Sequence, residues 1–292
     1  MNLFGCIGKR KSFGKNNMLT KNNWLTTNIY NRLNDPSCDF NIEINPHPFK
    51  KMDFQSAVDH TIEEITNKYS NLYLGLSGGY DSDFVMHAFC DRNVSITPII
   101  VRCNNEKENR YAFDTCKKFK IEPVIIDTTE EKLLEIFVNY ISKKLNSPAF
   151  NSSYNVLISQ YVIENNGTLL LGEHLLGDGD DIIVPEEFSL SNEWDFYWTA
   201  LFPEISCIDF FLYTIELTYS AFPFNDIGIM WKDYKSRLFS LEKRDKMKPE
   251  WSKENLEKIK QLNSQRPYSP KTGIRYSLAD IHNIFDKYTI ND

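Results

Sequence analysis

The sequence predicts an α/β fold, a doubly wound parallel sheet with a helical C-terminal portion. Between residues 53 and about 185, short apolar runs alternate with longer segments of helical periodicity. From residue 189 the chain changes character, becoming first dense in aromatic residues and then rich in charge. Short continuous apolar strands separated by helices are typical of right-handed βαβ units, whose sheet is buried on both faces.

The elements of this pattern follow one another in a regular order. The first is a helix over residues 53–69, in which Asp53 can cap the start and apolar side chains recur at helical spacing. The next segments are strand LYLGL, helix SDFVMHAFC, strand ITPIIVRC, helix KENRYAFDTCKKF, strand PVIID and helix EEKLLEIFVNYISKKL. A helical stretch, NVLISQYVIENN, then leads to the apolar strand TLLLGE.

Three regions result from this reading. Residues 1–52 form an irregular extension with one short strand at FNIEI, residues 53–188 form the α/β domain, and residues 189–292 form a mostly helical substrate or interaction region. The aromatic stripe at the start of the third region is expected to be core, because Phe and Tyr supply large buried area, with base stacking as the less favoured alternative.

Composition excludes several classes of protein. No apolar run approaches the ~20 residues of a membrane helix, and the first residues lack a secretory signal, so we expect a cytoplasmic protein without a membrane partner. The six cysteines include no C-x-x-C pair, which argues against a zinc ribbon or a dithiol redox motif. A net charge of -7 argues against broad nucleic-acid binding, so RNA is a less favoured partner.

The loop Ser77-Gly78-Gly79-Tyr80-Asp81-Ser82 is the most informative stretch. It lies where the first predicted strand of the sheet passes into its helix, and ligands of parallel sheets bind at such ends. Adjacent glycines let successive N–H groups turn toward an anion, the helix adds its positive end, and Ser77 and Ser82 add hydroxyl donors. Asp81 would repel phosphate unless a cation lay between them, so it is a candidate Mg²⁺ ligand.

This motif resembles the S-G-G-x-D-S signature of the PP-loop ATP pyrophosphatases, whereas the Walker and dinucleotide patterns are absent. The resemblance implies the fold of that superfamily and the use of ATP, split between its α and β phosphates to adenylate a substrate. Residues 70 to 185 are most similar to the synthetase domain of asparagine synthetases. In that family a later acidic glycine loop contributes to magnesium and pyrophosphate binding, and here NNGTLLLGEHLLGDGDD stands in its place.

The resemblance assigns further site residues. Gly172 would border the nucleotide, and among Glu173, Asp178, Asp180 and Asp181 we favour Glu173 and Asp181 as metal ligands beside Asp81. Arg102, at the end of the next strand, would border adenine or ribose. Two histidines are weaker candidates: His87, for which packing is the better reading, and His174. A lysine of SLEKRDKMKPEW could stabilise charge at the α-phosphate, but a charged helix face is the more frequent explanation, so no lysine is assigned a catalytic role.

The expected activity is that of an AMP-forming ligase using ATP and Mg²⁺. The acceptor would be a small carboxylate or amide, and Ser77 and Asp81 would serve the chemistry. Asn2 replaces the cysteine nucleophile of a fused glutaminase, so ammonia or a separate nitrogen donor is required. Two alternatives stay open: an RNA-modifying or sulfur-transfer enzyme of the same superfamily, and a non-catalytic ATP-binding sensor or subunit.

Overall fold

The computed structural model describes residues 19–20, 24–27, 41–104, 106–142, 150, 152–172, 182–184, 189–190, 206–242, 251–265 and 276–290. The strands in chain order are β1 (Leu19–Thr20), β2 (Leu25–Thr27), β3 (Ile42–Ile44), β4 (Phe49–Lys50), β5 (Leu72–Gly75), β6 (Thr97–Arg102), β7 (Val124–Asp127), β8 (Thr168–Leu171), β9 (Ser189–Leu190), β10 (Ser206–Asp209), β11 (Tyr276–Ser277) and β12 (Thr289–Ile290).

The helices are α1 (Phe54–Lys68), α2 (Tyr80–Cys90), α3 (Glu106–Phe119), α4 (Glu130–Ile136), α5 (Ser152–Glu164), α6 (Ile215–Ala221), α7 (Trp231–Leu238), α8 (Lys253–Ser264) and α9 (Leu278–Tyr288). A π-helical turn, Phe137–Ser142, continues α4, and a 3₁₀ turn, Phe210–Leu212, follows β10. Within the described ranges no helix has the length and apolarity to cross a bilayer.

A parallel sheet of five strands, in the order β10-β8-β5-β6-β7, forms the centre of the molecule. The chain moves outward from β5 to β6 and β7, then returns to the other side of β5 with β8 and β10. The direction of winding therefore reverses between β5 and β8. In open α/β sheets the crevice beyond the carboxyl ends at such a reversal is where ligands bind.

Side chains of the strands alternate between two cores, one on each face of the sheet. Leu74, Ile100 and Leu170 face one core, which also contains apolar residues of α1, α2 and α3. Tyr73 and Leu169 face the other, which contains apolar residues of α4, α5 and α9. Strands flanked in this way must be apolar on both sides. The predicted α/β fold with its parallel sheet is thus confirmed.

The strand β10 is an element of the region after residue 188, predicted to be mostly helical, that the sequence did not indicate. Its four residues pair in parallel with β8, in the register Ser206↔Thr168 to Asp209↔Leu171, and complete the sheet. The run SCID is short and follows a segment dense in aromatic residues, so periodicity alone could not separate it from a buried helix. Residues 53–188 therefore do not contain the whole sheet.

The segment before residue 53 joins the core on the same face as the C-terminal helix. Trp24 is 1% exposed and its indole Nε1 donates to the carbonyl of Leu212 at 3.2 Å. The rings of Trp24 and Phe49 contact Phe285 of α9 at centroid distances of 5.7 and 5.9 Å. Strand β4 also pairs with β12 at the C-terminal end of α9. These contacts tie the first described strands to the last helix.

Candidate active site

The loop between β5 and α2 is held by its own serines. The hydroxyl oxygens of Ser77 and Ser82 lie 3.1 Å apart. Ser82 Oγ also accepts from the Ser77 amide at 3.3 Å, and Ser77 Oγ accepts from the Gly79 amide at 3.2 Å. Gly79 is the N-cap of α2 and offers no side chain to its first turn. An N-terminus uncapped by a side chain is suited to binding an anion.

Gly78 has a physical reason to be glycine. Its φ is +89°, and a Cβ at this position would lie 2.2 Å from the carbonyl oxygen of Glu108, in the first turn of α3. The left-handed conformation and the close approach both exclude a side chain. The loop after β5 is thereby pressed against the start of the helix that follows β6.

Gly172 performs a matching role on the other side of the reversal point. It directly follows β8, and a Cβ there would lie 2.7 Å from the amide nitrogen of Ser82 in the first turn of α2. The end of β8 and the start of α2 are therefore in backbone contact. The predicted site residues at 77–82 and Gly172 are brought together at one edge of the sheet.

Asp81 is paired with a lysine that the sequence analysis did not select. Its Oδ2 accepts from Lys235 Nζ at 2.5 Å, and the two side chains are only 20% and 12% exposed. Asp81 Oδ1 is buried and has no hydrogen-bond partner among the described residues. The Lys235 ammonium also lies 5.4 Å from the centroid of the Trp231 ring. One carboxylate oxygen thus meets a cation, and the other is left able to accept another ligand.

The Asp81 carboxylate fits a magnesium ion, because a buried Asp oxygen without a hydrogen-bond partner among the described residues is a ligand of the kind that Mg²⁺ prefers. No cluster of three or more Asp, Glu, His or Cys side chains suited to a metal occurs among the residues that the structure describes. The other predicted ligands, Glu173 and Asp181, lie outside those residues, as does His174. Their part in metal binding stays a prediction.

Arg102 is placed at the carboxyl edge of the sheet, as its position at the end of β6 requires. Its guanidinium forms two hydrogen bonds with Asp127, the last residue of β7, at 2.5 and 2.9 Å. This pairing raises the pKa of Arg102 and lowers that of Asp127. The Arg102 side chain is therefore directed along the edge to the next strand. A contact between Arg102 and a nucleotide stays a prediction.

His87 packs rather than faces the loop. Its ring meets the ring of Phe119 edge to face at 4.8 Å, and Lys118 and Asp91 lie near its imidazole. It stands in the last turn of α2, at the end opposite to the serine-rich loop. The packing role preferred on sequence grounds agrees with this position.

Two further polar groups at this edge lacked a sequence signal. Glu108 is partly buried, and burial raises the pKa of its carboxyl to about 7. Tyr154, in the first turn of α5, has a buried hydroxyl without a hydrogen-bond partner in the described part of the chain. Neither residue belongs to a recognisable motif.

Comparisons with known proteins identify no family for this chain. No family model matches it, and no curated protein does. Solved structures that match at low similarity include a predicted subunit of tRNA methyltransferase from Methanocaldococcus jannaschii, with 15% identity and a TM-score of 0.36 over 70% of this chain and 94% of that one.

Two synthetase structures match at a similar level. NMN synthetase from Francisella tularensis is 13% identical with a TM-score of 0.33, over 75% of this chain and 97% of that one. NH3-dependent NAD synthetase from Campylobacter jejuni, in complex with nitrate, is 19% identical with a TM-score of 0.35, over 81% and 95% of the two chains. Similarity at this level does not transfer a function, and the fold and site described above do not depend on it.

Proposed function

We propose that this protein is an ATP-dependent ligase of the PP-loop type, which adenylates a small carboxylate or amide and releases pyrophosphate and AMP. The single observation that carries the proposal is the convergence at the β5/β8 reversal. There the serine-rich loop, the start of α2, Gly172 and the Asp81–Lys235 pair meet. This is the crevice in which an α/β sheet binds its ligand.

The loop would bind the β and γ phosphates of ATP. Amides in the first turn of α2 and the hydroxyls of Ser77 and Ser82 are donors. Gly78 and Gly172 let the backbones of α3 and α2 pack closely around the loop. The two hydroxyls contact each other within the loop. Each can rotate toward a phosphate oxygen at the cost of one weak contact, because a hydroxyl hydrogen turns freely about its C–O bond.

Asp81 would hold Mg²⁺ through the carboxylate oxygen that has no hydrogen-bond partner among the described residues. The ion supplies charge neutralisation on the phosphates and a better pyrophosphate leaving group when it is bound with ATP. Lys235 pairs with the other oxygen of the same carboxylate. Its ammonium would stabilise the charge that develops at the α-phosphate.

The first chemical step would be attack by an acceptor oxygen on the α-phosphorus. An O–P bond forms, the bond to the β-phosphate oxygen breaks, and pyrophosphate leaves with the bonding electrons. A nitrogen nucleophile would then displace AMP from the activated carbon. Protein side chains would contribute by positioning the groups and neutralising charge rather than by covalent catalysis.

The specific similarity to asparagine synthetases is supported by the loop motif and by the order of the elements along the chain. None of the three solved structures described above is named an asparagine synthetase. The RNA-modifying and sulfur-transfer alternatives retain the same first step and differ in the acceptor. The non-catalytic alternative differs in predicting ATP binding with no product.

The nucleotide product profile tests the proposal. The full chain is incubated with ATP, Mg²⁺ and a small-metabolite extract, and the products are separated by anion-exchange chromatography. Wild type should form AMP and pyrophosphate in equal amounts. Asp81→Asn should form neither, and Lys235→Met should retain ATP binding but lose about 10²- to 10³-fold in rate, as for removal of a transition-state donor.

Lys253→Met is a suitable control, because Lys253 is an exposed lysine at the start of α8. It should match wild type. ADP and phosphate as products would refute attack at the α-phosphorus. Tight ATP binding without any product would favour the sensor or subunit alternative.

A further inference from the structure

The end strand β7 leaves one side of the central sheet open. In the order β10-β8-β5-β6-β7 it pairs with β6 alone among the described residues. The opposite end strand is covered, since Ile208 and Asp209 of β10 are 4% and 2% exposed, whereas Ile125 in the middle of β7 is 43% exposed. An edge strand with an exposed apolar side chain is a template for pairing with a further strand.

The hydrogen bonds to β6 determine which backbone groups of β7 point outward. Directly after β7, the Thr128 amide donates to the Arg102 carbonyl at 3.0 Å and continues the ladder between the two strands. The residues that bond to one neighbour alternate along a strand. The N–H and C=O groups of Ile125 and Asp127 therefore point away from the sheet.

The side chains of β7 differ between the two faces of the sheet. Val124 and Ile126 are half-buried and pack against the core that contains apolar residues of α4, α5 and α9. Ile125 is in register with Ile100 and points to the other face, on the side of α3, where it is left exposed. A neighbouring strand with an apolar side chain at this position would remove Ile125 from water.

The charges on either side of β7 are complementary to each other. Residues 117–122 contain three lysines and one glutamate, whereas residues 127–131 contain three acidic residues and no basic one. When two copies of a strand pair in antiparallel about a two-fold axis, the segment before the strand in one copy lies beside the segment after it in the other. Each basic segment would then lie beside the acidic segment of the other copy, which favours a second copy as the partner.

We propose that β7 is the interface through which two copies of this chain form a dimer, with antiparallel pairing that joins their sheets into one. This inference does not depend on the proposed function. The carboxyl edges of the two sheets point in opposite directions in such a dimer. The two candidate active sites therefore lie at opposite edges of the joined sheet.

The side chains select the register of this pairing. A two-fold axis perpendicular to the sheet keeps each side chain on its own face, so residues on the same face must lie opposite one another. Pairing centred on Ile125 places the two Ile125 side chains together and Val124 opposite Ile126. Pairing centred on Ile126 would instead place Ile125 opposite Asp127. The register centred on Ile125 is therefore the one in which apolar side chains meet.

The outward backbone groups fit the same register. The two Ile125 residues exchange both of their N–H and C=O groups, as a hydrogen-bonded antiparallel pair does. Each Asp127 amide can donate to the Pro123 carbonyl of the other copy. Because Pro123 has no N–H, the pairing ends at that residue and the interface is short.

Sedimentation equilibrium of the full chain over a wide range of concentration tests for the dimer. Wild type should dimerise, and Ile125→Lys should raise the dissociation constant at least tenfold, because two like charges would then meet at the two-fold axis. Ile290→Lys, at a 54% exposed position of β12, is the matched control and should dimerise as wild type does. Circular dichroism should confirm that both variants are folded.

Charge reversal tests the antiparallel arrangement. Lys120 and Glu131 are exposed residues on opposite sides of β7. Lys120→Glu and Glu131→Lys should each raise the dissociation constant at least threefold, and the double variant should return to within threefold of wild type. A double variant weaker than both single variants would overturn this arrangement.

Cysteine cross-linking tests the register. The Cα atoms of a hydrogen-bonded antiparallel pair are about 5.5 Å apart, which is within reach of a disulfide. Ile125→Cys should therefore form a disulfide-linked dimer under mild oxidation, seen on non-reducing gel electrophoresis. Asp127→Cys should not, because its two copies would be more than about 10 Å apart along the strands. It retains the native cysteines and so controls for their oxidation.

Three results would overturn the proposal. The first is a wild-type protein that is monomeric at every concentration. The second is a dimer that Ile125→Lys leaves as tight as wild type, because the interface would then lie elsewhere on the molecule. The third is equal cross-linking of Ile125→Cys and Asp127→Cys, which would exclude the register centred on Ile125.

Discussion

Asp81 and Lys235 show at the scale of single residues how a binding site is held together before its ligand arrives. Their 2.5 Å contact joins the first turn of α2 to α7, and both side chains are largely buried. A largely buried ion pair contributes little net stability against an apolar pair, but removal of one partner leaves the other charge uncompensated. Removal of either side chain is therefore expected to lower the free energy of unfolding of the protein.

A double-mutant cycle in the absence of nucleotide tests this dependence. Asp81→Asn and Lys235→Met should each lower the free energy of unfolding by about 1–2 kcal/mol, and the double variant should lose less than the sum, with a coupling of about 1 kcal/mol. Urea denaturation provides the values. Additive losses would mean that the two side chains do not interact in solution.

Glu108 leads to a pH-dependent prediction at the same scale. Burial raises its folded pKa to about 7 from an ordinary value of 4.5, so the native state binds more protons than the unfolded state between these values. Stability contributed by the neutral carboxyl is complete below about pH 4.5 and is lost as pH rises through 7. Glutamine is similar in shape to the neutral acid and does not ionise, so Glu108→Gln does not lose this stability as pH rises.

Glu108→Gln should therefore gain stability relative to wild type as pH rises. The difference in unfolding free energy between variant and wild type should change by about 2–3 kcal/mol between pH 4 and pH 8, from 1.36 kcal/mol per pKa unit. Thermal or urea denaturation at both pH values measures it. A constant difference for Glu108→Gln would contradict a carboxyl titrating near pH 7.

At the scale of elements, the site depends on where β8 ends and α2 begins. Gly172→Ala would place a methyl group 2.7 Å from the Ser82 amide, which would force the strand end and the helix start apart. The backbone has little freedom to move there, because β8 pairs with strands on both sides. We expect ATP affinity to fall at least tenfold, measured by isothermal titration calorimetry.

Gly75→Ala is the control for that substitution. It also lies at the carboxyl end of a central strand, but its added methyl would meet only side-chain atoms of Ile158 and Leu171, at 3.3 and 3.4 Å. Flexible side chains can move by a few tenths of an ångström. Its ATP affinity should stay within threefold of wild type, and an equal loss in both variants would mean that the Gly172 contact is not specific.

The elements also differ in whether the sequence could predict them. The loop at 77–82 and the strands β5 to β8 were predictable because their signals are local: apolar runs, glycine pairs and helical spacing. The pairing of Asp81 with Lys235 spans 154 residues, and nothing in the sequence around Lys235 marks it. Strand β10 was missed because four buried residues beside aromatic segments have no distinctive period. Long-range partners depend on topology that local patterns do not record.

At the scale of the whole molecule, the two ends of the described chain share one aromatic cluster. Phe285 of α9 is fully buried, and its ring contacts rings from three separate segments. The contacting residues are Trp24, Phe49, Tyr219 and Phe222. Because this cluster belongs to the same core as Tyr73 and Leu169 of the sheet, α9 is expected to unfold together with the sheet.

Phe285→Ala tests that expectation. Removal of a buried phenyl ring costs about 3–5 kcal/mol through lost burial and the remaining cavity, so the urea midpoint should fall markedly. If the core is one cooperative unit, tryptophan fluorescence and far-ultraviolet circular dichroism should still report one coincident transition. Tyr288→Ala, at a 41% exposed position of the same helix, should change stability by less than 1 kcal/mol. Separate transitions, with the sheet midpoint unchanged in Phe285→Ala, would show that α9 is an independent attachment, and the described ends of the chain would then contribute nothing to holding the site in place.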